Sequence, residues 1–126
     1  MRKINLEKEL AFCDRSYNLD KNWKETNAAL TKIAVSEGWN SRMIDDWQDI
    51  VLSTIIGGIC SDCISAQMRY PNANKTKIDS LNKKSAEMKM ILSSYENKYP
   101  KKEMERIWFE VNKIIKENRA KKDAKH

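Results

Sequence analysis

The stretch that decides the fold reads IDSLNKKSAEMKMILSSYENKY over residues 78–99, then Pro100, then KKEMERIWFEVNKIIKEN over 101–118. Its first part repeats apolar and small residues in steps of three and four: Ile78, Leu81, Ser85, Met88, Leu92, Tyr95 and Tyr99. Its second part does the same with Met104, Ile107, Val111 and Ile114, and Asn118 closes the series in phase. That spacing puts each set on one stripe of a helix. Pro100 suits the first turn of the second helix, where its missing N–H would have no partner anyway. Two such helices joined at Tyr99-Pro100 form an antiparallel hairpin whose stripes must be buried against something.

Upstream, Gly38 marks the C-cap of a helix over about 21–37, headed by Asp20 or Asn22 and burying Thr26, Leu30, Ile33 and Ala34. A short helix over about 6–17 precedes it, capped by Asn5, with Leu6, Leu10, Cys13 and Tyr17 on one side. Ser41 opens the longest element, about 42–69, which stops before Pro71. From Ile50 to Met68 that element carries a single charge, Asp62. A helix apolar nearly all round is either the centre of a bundle or a membrane span. Asp62 inside a bilayer would cost about 2.5–3.5 kcal/mol, and no aromatic belts flank the segment, so the central helix of a bundle is the better reading. The β-branched residues of 50–56 also fit a strand. Residues 70–76 form a loop, and Thr76 with Asp79 resembles a capping box for the helix that follows.

A chain of 126 residues is one domain, long enough to hold a core without staples. Only three Gly and two Pro, with 33% charged residues, fit an all-helical composition. The expected architecture is all-α: a compact bundle of four to five helices with a long apolar central helix and the C-terminal antiparallel hairpin. Residues 1–118 make up its single domain and 119–126 a frayed basic tail. The net charge of +6 is uneven, with 15 basic against 13 acidic residues over 1–98 and 9 against 5 over 99–126. Cations at the end of a helix complement its dipole and solvate an exposed terminus. The chain becomes charged at Arg2 and Lys3 and shows no apolar leader, and its three cysteines suggest no disulfide framework. The expectation is a cytoplasmic protein.

Function is read mainly by exclusion. Cys60-Ser-Asp-Cys63 has the spacing of a redox or zinc pair, but it falls late in a helix, where the dipole stabilises no thiolate, and only Cys13 and the terminal His126 remain to complete a zinc set, so the pair reads as core packing. Asp45, Asp46 and Asp49 could begin a magnesium site, yet no second acidic pair exists to complete it, and they complement the start of their helix. The only histidine is the terminal His126, so no internal imidazole can act as a base. No catalytic residues, cofactor or metal site are expected, and no enzyme.

Four tryptophans and two adjacent apolar stripes on the last helix exceed what one small core needs. The expected function is a non-catalytic intracellular binding protein, such as an adaptor, inhibitor or immunity-like factor. It would act through a helical interface with a protein partner or a second copy. Trp108, Phe109, Met104 and Ile115 are its expected contact residues. The alternative is a nucleic-acid-associated protein using the basic end of the chain: Lys113, Lys116, Arg119, Lys121 and Lys122. Such contacts to phosphate would weaken steeply with salt.

Overall fold

Three asparagines head three of the helices. Asn5, Asn40 and Asn74 each turn a side-chain oxygen onto the backbone N–H three residues ahead, at 3.2, 2.9 and 3.0 Å. Each thereby satisfies a donor that the first turn of a helix leaves open. The computed structural model describes residues 5–10, 16–70, 72 and 74–124. They form α1 (Leu6–Leu10), α2 (Ser16–Glu37), α3 (Ser41–Met68), α4 (Lys75–Ser94) and α5 (Lys101–Ala124). Of the described residues 87% are helical and none is in a strand, so 50–56 is helix and not strand.

The ends of these helices differ from the sequence reading in ways that local chemistry explains. Asp20 and Asn22 lie inside α2, which already begins at Ser16. The caps of α3 and α4 are Asn40 and Asn74, where Ser41 and Thr76 were expected. Asparagine is at least the equal of Ser and Thr at a cap, and here it stands one or two residues earlier. The first helix stops at Leu10; Cys13 lies outside the described residues. The fourth ends at Ser94, and residues 95–98 turn tightly, with the Tyr99 N–H reaching back to the Tyr95 carbonyl at 2.8 Å. The fifth continues through Ala124, so the expected fraying beyond Asn118 is not seen over 119–124.

Gly38 fills its expected role. Its φ of 67° is the left-handed conformation that costs other residues about 1–2 kcal/mol. The N–H of Trp39 bonds to the carbonyl of Ala34 at 2.9 Å, which closes α2 in a Schellman arrangement.

α3 is the centre. It packs along α2 on one side and α4 on the other, while α5 lies along α2. The close packing of the two C-terminal helices is therefore with α3 and α2 rather than along each other. Asp46 meets Tyr99, Asp49 meets Tyr95, and a Cβ built on Gly57 would stand 3.8 Å from that of Met88. This series descends α4 as it climbs α3, which fixes an antiparallel register. Glu37 with Arg106 and Glu25 with Arg119 fix α2 against α5 in the same sense.

The largest fully buried apolar side chains among the described residues are Leu19, Leu30, Trp47, Ile50, Val51, Leu52, Cys60, Leu81, Met88, Ile107 and Val111. Trp47 sits between Trp39 and Tyr99, with ring centroids at 5.9 and 5.2 Å. By length and composition α3 could cross a membrane, and 50% of its most apolar window is buried inside the bundle. α3 occupies the core of the bundle, a place where a helix this apolar is equally at home.

Candidate functional site

The two apolar stripes of α5 have different fates. Ile107 and Val111 are fully buried, and Met104, Trp108, Ile114 and Ile115 are half-buried against the core. Phe109 follows Trp108 directly, so it projects about 100° further round the helix, and it is 68% exposed. Of the expected contact residues, the structure thus brings Met104, Trp108 and Ile115 onto the core side and leaves Phe109 outside. One turn on either side of Phe109 stand Glu105 and Lys113; Lys102 and Lys116 lie two turns away, and all four are exposed.

The basic end of α5 is divided as well. Lys113, Lys116, Lys121 and Lys122 are exposed. Arg119 is engaged: its guanidinium holds both carboxylate oxygens of Glu25. Those donors hold Glu25 below its ordinary range against the opposing effect of burial. Arg106 grips both oxygens of Glu37 at 3.0 and 2.9 Å and also bonds Glu103. These arginines align α5 on α2; exposed pairs of this kind contribute only about 0–1 kcal/mol each.

Sequence reasoning missed a polar cluster where the start of α3 meets the end of α4. Asp46 accepts from the Tyr99 hydroxyl at 2.8 Å and from Lys98, and Asp49 accepts from the Tyr95 hydroxyl at 2.9 Å. Burial alone would raise the Asp46 carboxyl, but the Lys98 and Tyr99 donors outweigh it and hold the group below its ordinary value. Burial first, and then the facing carboxylates, push both tyrosine hydroxyls far up. Ser41, Arg42, Asp45, Asp46, Tyr95 and Lys98 line an open pocket of about 450 Å³ beside this cluster. A signal for it existed: tyrosines on an apolar stripe need a partner for the hydroxyl, and Asp46 and Asp49 share one face of α3.

Cys60 and Cys63 are buried in α3. Burial, then Cys63 beside it, pushes the Cys60 thiol up, away from the thiolate that redox chemistry uses. Among the described residues, no three His, Cys, Asp or Glu side chains converge as a metal-ligand set. Comparison of the chain with family models, with curated proteins and with solved structures gives no match.

Proposed function

We propose that this is a non-catalytic binding protein of the cell interior, of the adaptor or inhibitor kind, that docks a protein partner on the outer face of α5. The observation that carries the reading is Phe109, an aromatic ring left 68% exposed on a helix whose inner stripe is already satisfied by the core. Aromatic residues are favoured anchors of protein interfaces. The charges around the ring are of both signs, Glu105 against Lys113, which suits a complementary protein surface better than a run of phosphates. Lys113, Lys116, Lys121 and Lys122 would serve the nucleic-acid alternative, but Glu105, Glu110 and Glu117 interrupt them along α5 and Arg119 is held by Glu25.

A second copy is the first partner to test. An antiparallel pair centred on Phe109 would set Glu105 of one chain against Lys113 of the other, twice, by two-fold symmetry. Sedimentation at micromolar concentration, with Phe109→Ser beside the parent, reads this directly. A heavier parent species that Phe109→Ser reduces to monomer supports self-association. If the parent itself is a monomer, the partner is a different protein.

A further inference from the structure

A charged pair lies buried between α1 and α4. Lys84 Nζ of α4 stands 2.6 Å from a carboxylate oxygen of Glu9 in α1, with side chains only 5% and 8% exposed. A five-residue helix is too short to persist by itself, so α1 exists because it is docked. Its contacts with α2, half-buried Leu6 packed on the core, and the Glu9–Lys84 pair all contribute to docking it. Separating such a pair while it stays buried would strand two charges out of water, so α1 is either fully seated or fully lifted.

Lys84 also has a second partner within reach. Its Nζ lies 3.8 Å from Glu87, whose side chain is 57% exposed on the same helix. An opening of about 220 Å³ lined by Ser80, Lys83, Lys84 and Glu87 gives the ammonium a route outward. Beneath it, the antiparallel register that sets Gly57 on Met88 brings Cys60, one turn along α3, level with Lys84, one turn back along α4. Both Cys60 and Cys63 are buried there.

We propose that α1 is a latch: Lys84 exchanges between Glu9, which seats the helix, and Glu87, which stabilises the lifted state. Lifting uncovers the α3–α4 face that carries Cys60. The exchange needs no unfolding of the bundle, because Lys84 keeps a carboxylate partner in both positions.

Native-state thiol labelling across a urea series, with the modified peptides of Cys60 and Cys63 resolved by mass spectrometry, tests this. Tryptophan fluorescence in the same series reports global unfolding. In the parent, Cys60 labelling at low urea should be nearly independent of denaturant, the mark of a local opening. Glu9→Gln should speed that phase at least about tenfold with far-UV ellipticity unchanged, and Glu9→Leu combined with Lys84→Met should slow it again, since an apolar pair can replace a buried ionic one. Labelling of parental Cys60 that follows only the steep global transition overturns the latch, even should the variants fail to fold. So does a folded Glu9→Gln variant labelled at the parental rate.

Discussion

The Tyr95 hydroxyl donates to the Asp49 carboxylate at 2.9 Å, from the end of α4 to a buried position in α3. With Tyr99 on Asp46 it forms a polar seam that holds the start of the central helix in register. Tyr95→Phe deletes the donor and leaves the buried Asp49 oxygen short of it. The expected loss is about 1–3 kcal/mol, read by urea denaturation. A double-mutant cycle with Asp49→Asn should show coupling; independent effects would mean that the bond contributes nothing in solution.

Burial separates two positions that the sequence stripes treat alike. Ile107 is fully buried and Leu92 half-buried. Ile107→Ala should therefore cost about 2–5 kcal/mol, in the range of large-to-small core changes, and Leu92→Ala clearly less. Equal destabilisation in denaturant titrations would place Leu92 deeper than the structure does.

The glycines should respond with opposite signs. Gly38 has positive φ, so Gly38→Ala should destabilise by about 1–2 kcal/mol. A Cβ at Gly58 would meet nothing within 4 Å inside the helix, and Gly58→Ala should stabilise by about 0.5–1 kcal/mol through helix propensity. Thermal melts of the two variants check both directions.

Acid should loosen the ends of the bundle. Asp46, Glu25 and Glu37 are held below their ordinary values of 3.8, 4.5 and 4.5 by the donors they accept from. A depressed carboxyl binds fewer protons in the folded than in the unfolded chain. Its contribution is thus complete above the ordinary value and is lost as pH falls from there through the folded-state value. Melting temperature should decline below about pH 4.5, and Asp46→Asn should flatten the part of that decline nearest and below the ordinary aspartate value. A parallel decline in the variant would mean that Asp46 contributes nothing to the acid sensitivity.

Much of the fold is legible in the residues because periodicity is local. The stripes of 78–99 and 104–118, the charge-poor α3 and the left-handed Gly38 each announce themselves within a few turns. The starts of α3 and α4 were displaced because asparagine competes with serine and threonine for the same caps. Partnerships across the chain could not be read. Nothing near Lys84 indicates that Glu9 covers it, and nothing near Arg119 shows that Glu25 occupies it. For the same reason Trp108 and Phe109, adjacent in sequence, looked like one patch, although only their positions around α5 decide that one faces the core and the other solvent.

Phe109 is proposed to mark a face that binds protein. A photo-crosslinking amino acid placed at 109 in the full chain, inside the source cell, tests it most directly, with position 82, an exposed site on α4, as the control. A discrete protein adduct at 109 that is absent at 82 and survives nuclease is the expected result. No adduct at 109, the same adducts at both positions, or one that nuclease removes would contradict it.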